Sequence, residues 1–558
     1  KNKANTTIKS IIINGVESND NIEIMEHTTN YFKELYMSTG VPNSDIQPAR
    51  SIPTNNDDNE NLMNIITAEE ILRAIKDSAP KKSPGPDGLP SEFYLRVWDI
   101  IKNEFTLMMN EAKNGNISPS FMQGIIVLAK KKNTCNELSS YRPISLLNVD
   151  YKILSRVLKH SLDLLMPVIL SPHQKCSNGK KNIFEATCGM RDKIAEMRHR
   201  KKKAILAAFD LNHAFDRVEK NFLLQIMHSM NMNRSFMDLV NIIMSASSSK
   251  ILVNGNLSES FRIESSVRQG DPLSMHLFVI YLQPLLDKLD TMCDGEYDLL
   301  SGYADDISMI VDTINKLNLI RIAFNDFCAE SGAVVNYNKT FCITIGVGQH
   351  TTPDWIVEKD SVKILGIVYE NSIAKMTNTN WKTAVDKYRI AMWLNRPSSL
   401  NIMQKVALIN TFAASKLWYL TSVLPPPNVH AAKMVSLTGM YIWSGTTIKV
   451  PMDQLIRPKE EGGLGLQSPM FKSKSLFMNR TLKTIENLPF TNSFIQTISN
   501  PPNLTSLPSG IPYIKILVQE LADIPLQLVQ NQNSHKMYLE LTKCLPKPKV
   551  MMSNQNED

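Results

Sequence analysis

The sequence predicts an α+β fold, in which an antiparallel sheet of split βαβ topology precedes a mostly helical C-terminal part. Two observations lead to this prediction. Between residues 204 and 345, short apolar runs typical of strands alternate with stretches of helical periodicity, in the order strand, helix, strand, strand, helix, strand. Beyond residue 375 the periodicity is helical, and it breaks only at prolines and glycines.

The composition is that of an ordinary folded protein. The 558 residues are 43% hydrophobic and 21% charged, which excludes disorder throughout, and the net charge of +7 is mild. No apolar run approaches the roughly 20 residues that span a bilayer. The N-terminus has no apolar signal core, and the seven cysteines include no Cys-x-x-Cys pair. We therefore expect an intracellular protein with no membrane partner. Because the chain does not begin with Met, we also expect it to be a piece of a longer protein.

The first part of the chain is predicted to be an extension. Residues 1–60 are polar, with one amphipathic stretch at residues 31–36. Residues 52–60, rich in Asn and Asp, are typical of a solvated linker.

Two helices are predicted after this extension. Thr67 and Glu70 have the spacing of a capping box, which favours a helix start at that point. The helix must end before Pro80, because a proline disfavours helix in the residue before it. A rigid basic turn at residues 81–90 then leads to an amphipathic helix over residues 93–109.

The central part contains the elements of the predicted sheet. In chain order these are a strand at 204–210, a helix at 222–230, a helix at 273–289, a hairpin around 303–306, a helix over 317–327 that ends near Gly332, and a strand at 341–345.

Acidic residues end the first strand and form the tip of the hairpin. Alone, Asp210 would be an ordinary strand-end acid, and Asp305 with Asp306 an ordinary turn pair. In a split βαβ sheet, however, the first strand and the central hairpin are neighbours, so Asp210 and Asp305 are expected to face each other. Clustered carboxylates suit Mg²⁺, and two ions about 4 Å apart can clamp an in-line phosphoryl displacement. The combination predicts nucleotidyl transfer.

The segments around these acids resemble the central palm motifs of reverse transcriptases. They are Phe209-Asp-Leu-Asn-His-Ala-Phe-Asp-Arg-Val218, Val267-Arg-Gln-Gly-Asp-Pro-Leu-Ser274 and Tyr303-Ala-Asp-Asp306. Flanking segments resemble the non-LTR retrotransposon (LINE-type) members of that family. They are Lys82-Ser-Pro-Gly-Pro-Asp-Gly-Leu-Pro90, Leu128-Ala-Lys130, Tyr141-Arg-Pro-Ile-Ser-Leu-Leu147, Tyr151-Lys-Ile-Leu154 and Gly462-Gly-Leu-Gly-Leu466. The resemblance extends from about residue 65 to residue 470, with the motifs in order.

This resemblance implies a right-hand polymerase. The expected parts are an N-terminal extension (1–60), fingers (61–200), a palm with the catalytic aspartates (201–375), a helical thumb (376–470) and a C-terminal extension (471–558). The implied activity is RNA-directed DNA polymerisation, in which a primer 3′-OH activated by one Mg²⁺ attacks the α-phosphate of a dNTP. Members of the family usually carry an endonuclease; the sequence shows no such domain here, and an endonuclease, if present, is expected upstream.

The resemblance also implies roles for single residues. Asp210 and Asp305 would be the main ligands of two Mg²⁺ ions, with Asp306 as the third carboxylate and Mn²⁺ as a substitute metal. Lys339 would be a proton donor to the departing pyrophosphate. The expected nucleotide-binding residues are Lys130, Arg142, Leu211, Phe215, Gln269 and Gly270. The expected primer grip contains Leu365 and Gly366.

Within this set, each role has a simpler alternative. Lys130 and Arg142 match the family's triphosphate-binding cations, but either could be a solvated surface charge. Phe215 matches the steric gate against a 2′-OH, but a lone aromatic more often packs in a core. The motifs of this sequence differ from the family pattern at four positions, Ala129, His213, Asp271 and Met275. None of these changes removes a metal ligand, so we expect them to affect efficiency and not chemistry.

The implied partners are an RNA template, a DNA primer or target, and dNTPs, with a nuclear site of action. The basic runs at 198–203 and 130–132 fit phosphate contacts. A solvated surface or nuclear targeting would also explain the first run. Trp381, Trp393, Trp418 and Trp443 are predicted to be core residues.

Other polymerases with the same palm fit less well. An RNA-dependent RNA polymerase would show Gly-Asp-Asp where this chain has Ala-Asp-Asp. The Pro-Gly-Pro-Asp-Gly and Gly-Gly-Leu-Gly segments favour the LINE type over group II intron maturases and telomerase. The alternative of a different class is a catalytically silent retrotransposon relic that only binds nucleic acid. The sequence gives no prediction of the oligomeric state.

Overall fold

The computed structural model describes residues 7–41, 46–131, 135–179, 181–295, 298–346, 352–394, 399–444 and 449–486. Most of the expected C-terminal extension, 487–558, therefore lies outside the described residues, as does Lys132 of the second basic run. The described cysteines form no disulfide. Among the described residues, no helix is both long and apolar enough to cross a membrane.

The N-terminal extension is more ordered than its composition suggests. It contains β1 (Ile11–Ile13), β2 (Val16–Ser18), α1 (Asn21–Leu35) and α2 (Asp57–Asn61). Helix α1 covers most of the predicted amphipathic stretch. Its Phe32 side chain belongs to a core cluster with Ile126 and Ile251, two strand residues of a sheet described below. The expected linker is anchored, because Ile52 is 1% exposed and its N–H donates to the Met230 carbonyl at 2.9 Å. Ile52, an apolar residue at the start of a polar segment, therefore holds the expected linker to the fold.

The next part carries helices around two strands. Its elements are α3 (Ala68–Lys76), α4 (Ser91–Lys113), α5 (Pro119–Met122), β3 (Gln123–Lys130), β4 (Tyr141–Leu147), α6 (Val149–Leu162), α7 (Met166–Ile169) and α8 (Ile183–His199). The predicted capping box is present, with Thr67 and Glu70 bonded reciprocally.

The central part begins with β5 (Ala204–Phe209), α9 (Lys220–Ser229), α10 (Arg234–Ser245), β6 (Ser248–Val253), β7 (Asn256–Leu257), β8 (Phe261–Arg262) and α11 (Ser274–Asp290). It continues with β9 (Leu299–Tyr303), β10 (Asp306–Val311), α12 (Ile314–Ser331), β11 (Phe341–Ile345), β12 (Val357–Glu358), β13 (Ser361–Ile364) and β14 (Ile367–Glu370). Helix α12 ends at Gly332, as predicted.

These strands form two larger sheets. The palm sheet has the order β12-β11-β5-β10-β9, antiparallel except for the short parallel β12, so the predicted split βαβ arrangement is confirmed. The fingers sheet has the order β4-β3-β6-β7, with β8 also paired to β6. Its strands β6 to β8 come from within the palm segment of the chain. The sequence prediction missed them.

The palm sheet is buried on both faces. Ile205 and Ala207 of β5 face a large core shared with the fingers, whereas Ala204 and Leu206 face a second core shared with the C-terminal helices. Burial on both faces explains why β5 is a continuous apolar run and not an alternating one. The chain then reaches Asp210 at the open end of the sheet.

The remaining part is helical, as predicted. It contains α13 (Ile373–Trp393), α14 (Ile402–Leu408), α15 (Trp418–Thr421), α16 (Asn428–Trp443), α17 (Met452–Ile456) and α18 (Pro469–Glu486), with a π-helical turn at Ile409–Ala413. Trp381 is fully buried, whereas Trp393 is 43% exposed, so the core prediction holds for the first and not for the second. Trp418 and Trp443 pack partly buried against the second core.

Candidate active site

Asp210 follows β5 directly, at the carboxyl end of that strand. Its carbonyl accepts a 2.8 Å hydrogen bond from the Asn336 N–H, which fixes the backbone at this point. Burial raises the pKa of the Asp210 carboxyl, and the nearby Lys339 and Lys131 ammonium groups oppose that shift. The site is therefore anionic, with cations close by.

The other two acids lie on the hairpin of β9 and β10. Tyr303 pairs with Asp306, so Ala304 and Asp305 form a two-residue tip. Ile307 pairs with Phe209, and this register brings Asp306 beside Asp210 at the end of the neighbouring strand. The predicted juxtaposition of strand end and hairpin is present, but the residue level with Asp210 is Asp306 and not the expected Asp305. Asp306 lines the same cavity as Asp210, and Asp305 is at the tip.

The three carboxylates influence one another. The pKa of Asp305 is raised, first by burial and then by the charge of Asp210, while Arg142 opposes the shift. The pKa of Asp306 is raised to about 6 by desolvation and by repulsion from Asp305 and Asp210. Three mutually destabilising carboxylates form a site that a cation would stabilise.

The acidic side chains at the site offer oxygen ligands to a metal. Among the described residues, no three His, Cys, Asp or Glu side chains already converge as a coordination sphere. Asp210 and Asp306 nevertheless line one cavity, and burial raises the pKa of both carboxyls, as it does that of Asp305. Hard divalent ions such as Mg²⁺ prefer this chemistry, so the residues present fit such an ion.

The fingers sheet supplies the cations that oppose these carboxylates. Arg142 lies on β4, opposite Ala129 of β3. Lys130, at the end of β3, donates to the Asn136 side chain and lies 5.9 Å from the Tyr141 ring centroid. Burial lowers the pKa of Lys131 most. Repulsion from Arg142 lowers it further, whereas attraction to Asp210 raises it. The sequence analysis included Lys131 only in the basic run 130–132 and assigned the nucleotide-binding role to Lys130.

Phe215 lies in a short 3₁₀ turn after β5, beside the long helix α11. Its ring stacks on Phe278 of that helix, with centroids 4.4 Å apart, and it remains partly exposed. The neighbouring Asp216 is buried and accepts hydrogen bonds from Gln269 Nε2 at 3.2 and 3.3 Å. The Asp216 carboxylate therefore holds the Gln269 amide in place. One face of the Phe215 ring is packed on Phe278, and the rest of the ring is partly exposed.

His213 and Asp271, two departures from the family pattern, have structural partners. The His213 ring lies 3.2 Å from the Tyr31 hydroxyl of α1, which sequence reasoning did not connect to the site. Asp271 accepts hydrogen bonds from the Tyr151 hydroxyl at 2.6 Å and from Ser155. These contacts tie the extension and the fingers to the palm.

Gly270 is where the palm touches the fingers backbone. It has a φ of +122°, and a Cβ atom there would lie 2.5 Å from the Ser145 carbonyl oxygen of β4. The Ser145 N–H donates to the Gln269 carbonyl at 2.7 Å. Gly270, expected from the resemblance to bind the nucleotide, thus makes a close backbone approach to β4 in this structure.

Leu211 and Lys339 both lie near Asp210, the first as its neighbour in the chain and the second as a cation that lowers the pKa of its carboxyl. Leu211 is buried and forms an isolated antiparallel β-bridge with Val335. The flanking residues make its two hydrogen bonds: the Asp210 carbonyl accepts one, and the Asn212 N–H donates the other. Lys339 is exposed and lines a cavity of about 420 Å³ with Asp210 and Asp306.

The expected primer grip is a hairpin beside this cavity. Leu365 and Gly366 connect β13 and β14 with φ values of +47° and +84°. The Tyr419 hydroxyl of α15 donates to the Leu365 carbonyl at 2.5 Å. Val362 and Ile364 of the hairpin line the cavity.

The first basic run has a structural role at one residue. Arg198 donates to the Asn371 side chain at 2.8 Å, which connects the end of α8 to the segment after β14. Lys201 has a φ of +53° in the turn that leads to β5. The run thus includes a helix-terminating turn.

Comparisons with known proteins agree with this geometry. Residues 129–369 match the family described as reverse transcriptase (RNA-dependent DNA polymerase). The chain is 26% identical over 423 residues to the Transposon TX1 uncharacterized 149 kDa protein of Xenopus laevis, covering 73% of this chain and 32% of that one. It is 25% identical over 461 residues to the Pol polyprotein of the type-2 retrotransposable element R2DM of Drosophila melanogaster, covering 75% and 41%.

Two further similarities complete the comparison. The RNA-directed DNA polymerase from mobile element jockey of Drosophila funebris is 23% identical over 387 residues, covering 64% of this chain and 41% of that one. The solved structure of apo telomerase from Candida Tropicalis, truncated from its C-terminal domain, aligns with 52% of this chain and 61% of that chain, at 14% identity and a TM-score of 0.35. The chain spans about a third to two fifths of the length of these curated relatives.

Proposed function

We propose that the chain is an RNA-directed DNA polymerase of the non-LTR retrotransposon type, since residues 129–369 match the reverse transcriptase family and the R2DM and jockey proteins align with 75% and 64% of the chain. It would extend a DNA 3′-hydroxyl with dNTPs along an RNA template. The observation that carries the proposal is the meeting of Asp210, Asp305 and Asp306 at one end of a doubly buried sheet. Cations from the fingers and from Lys339 surround them.

In the proposed reaction, the primer 3′-oxygen forms a bond to the α-phosphorus of the dNTP as the bond to pyrophosphate breaks. Asp210, Asp305 and Asp306 would hold two Mg²⁺ ions, which stabilise charge on the attacking and leaving oxygens when bound. Mn²⁺, which also takes oxygen ligands, is the expected substitute. Lys339, beside Asp210, would donate a proton to the leaving pyrophosphate.

Nucleotide binding would use both halves of the site. Arg142 and Lys131 share the field of the carboxylates, so they are placed to neutralise the triphosphate, with Lys130 further out. The open edge of Phe215 would exclude a 2′-hydroxyl. Gln269, held by Asp216, and the backbone around Leu211 and Gly270 would border the nucleotide.

The proposed partners are an RNA template and a DNA primer or target. Leu365 and Gly366 at the hairpin beside the cavity would hold the primer end. Nicked chromosomal DNA would serve as the primer, which implies a nuclear site of action.

Primer extension tests the proposal. A DNA primer annealed to an RNA template is incubated with Mg²⁺ and dNTPs, using wild type, Asp305→Ala and Asp326→Ala. Asp326 is an exposed acid on α12 and serves as the matched control. We expect extension by wild type and the control, and none by Asp305→Ala. Salt-dependent binding of the duplex without extension by any of the three would instead identify a silent, nucleic-acid-binding relic.

A further inference from the structure

The tip that carries Asp305 has an unfavourable backbone conformation. Ala304 has a φ of +53° and is 5% exposed. The left-handed region is unfavourable for an L-residue that carries a Cβ. Such a conformation persists only where surrounding contacts hold it. The side chain that makes these contacts does not come from the hairpin.

Gln174 reaches this tip from the segment after α7. It is fully buried, and its Oε1 accepts a hydrogen bond from the Ala304 N–H at 3.0 Å. Its Nε2 lies 3.5 Å from the Ala304 carbonyl oxygen, at the limit of a hydrogen bond. One side-chain amide thus contacts both the N–H and the carbonyl oxygen of the residue that precedes Asp305.

The segment that carries Gln174 is itself attached to the edge of the palm sheet. Gln174 forms a parallel bridge with Gly302 of β9. The Lys175 N–H donates to the Gly302 carbonyl at 2.8 Å, and the Gly302 N–H donates to the His173 carbonyl at 3.0 Å. The segment therefore pairs with the edge strand β9, and this pairing places the Gln174 amide beside the hairpin tip.

Further buried amides hold this segment in place. Asn178 Nδ2 donates to the carbonyls of Ser171 and Gln174, each at 3.0 Å. The Ser171 N–H donates to Oε1 of Gln283, a fully buried residue of α11, at 2.9 Å. A satisfied polar network of this kind fixes its members in one arrangement.

We propose that Gln174 is a positioning residue for nucleotidyl transfer: its amide holds Ala304 in the left-handed conformation and so fixes where the Asp305 carboxylate lies. Gln174 itself touches neither metal nor substrate. The inference rests on the proposed polymerase function, and it adds a determinant outside the catalytic motifs. Displacement of a catalytic group by about 1 Å can cost two orders of magnitude in rate.

The test compares Gln174→Met with Asn110→Leu in the full chain. Each substitution replaces an amide that contacts both backbone groups of one residue by an apolar side chain of similar size, but Gln174 holds Ala304 whereas Asn110 of α4 holds Ile66, far from the tip. We expect Gln174→Met to lower kcat at least about tenfold with the KM for dNTP unchanged. Asn110→Leu should lower stability and leave kcat near the wild-type value. Should the Met variant not fold, Gln174→Asn, whose amide is too short to reach both Ala304 groups, is measured instead.

A second readout needs neither metal nor turnover. Because Gln174 Oε1 accepts a hydrogen bond from the Ala304 N–H, Gln174→Met should speed hydrogen exchange in the peptide over residues 299–306, and Asn110→Leu should not. Equal effects of the two substitutions on kcat and exchange would overturn the positioning role, as would a fully active Gln174→Met. An inactive wild type would refute the proposed function alone, since the exchange comparison still decides whether Gln174 holds the tip.

Discussion

Gly270→Ala would test whether the contact between palm and fingers is as close as the backbone indicates. The new Cβ would lie 2.5 Å from the Ser145 oxygen, a distance that real Cβ atoms essentially never show, so β4 or the turn must shift. The φ of +122° adds about 1–3 kcal/mol of backbone strain for a residue with a Cβ. The shift would also weaken the 2.7 Å hydrogen bond from Ser145 to Gln269, worth about 1 kcal/mol.

Gly255→Ala separates the two contributions. Gly255 also has a positive φ, +93°, but nothing lies within 4 Å of a Cβ built there. It should therefore lose only the backbone term, about 1–2 kcal/mol, whereas Gly270→Ala should lose about 2 kcal/mol more.

Urea unfolding followed by circular dichroism measures both losses, and primer extension measures their effect on activity. Extension should fall for Gly270→Ala, because β4 carries Arg142, and should persist for Gly255→Ala. Equal losses of unfolding free energy in the two variants would refute the reasoning, since the close approach would then contribute nothing.

Three further outcomes are expected. The raised pKa of Asp306, about 6, means that the folded protein binds its proton more tightly than the unfolded chain, so stability falls as pH rises from about 4 to 6. Asp306→Asn should therefore raise the free energy of unfolding of the metal-free protein above pH 6, by no more than about 1 kcal/mol because solvent screens this exposed residue. Urea unfolding measures the gain, and a gain of the same size at pH 4 would contradict this. Phe215→Val should increase incorporation of rNTPs relative to dNTPs in single-nucleotide extension, and an unchanged ratio would leave Phe215 as a packing residue. Lys131→Ala should raise the KM for dNTP more than Lys130→Ala does, and the reverse order in steady-state kinetics would assign the triphosphate to Lys130.

Much of the palm could be predicted from the sequence, because its signals are local. The apolar run ending at Asp210, the acids at the hairpin tip and the glycine that ends α12 each specify their own element. Once these elements are arranged as a split βαβ sheet, the carboxylates meet without further information.

The missed features depend on long-range pairing. Strands β6 to β8 have an Asn-Gly turn at residues 254 and 255, a hairpin signal, but nothing local indicates that β6 pairs in parallel with β3. Likewise, a lone Gln174 or Tyr31 in the sequence carries no sign of the tip or ring that it contacts. Tertiary pairing, and not local propensity, places such residues.

The burial of β5 on both faces has a consequence for how the protein comes apart. One strand contributes side chains to both large cores, so neither core can open without exposing apolar surface of the other. The strand is also hydrogen-bonded on both edges, to β10 and β11. Amides of β5 should therefore exchange only through the largest unfolding event of the molecule. Asp210 is attached to that strand, so partial unfolding of the fingers or of the C-terminal helices would leave the carboxylate on the last part of the protein to lose its structure.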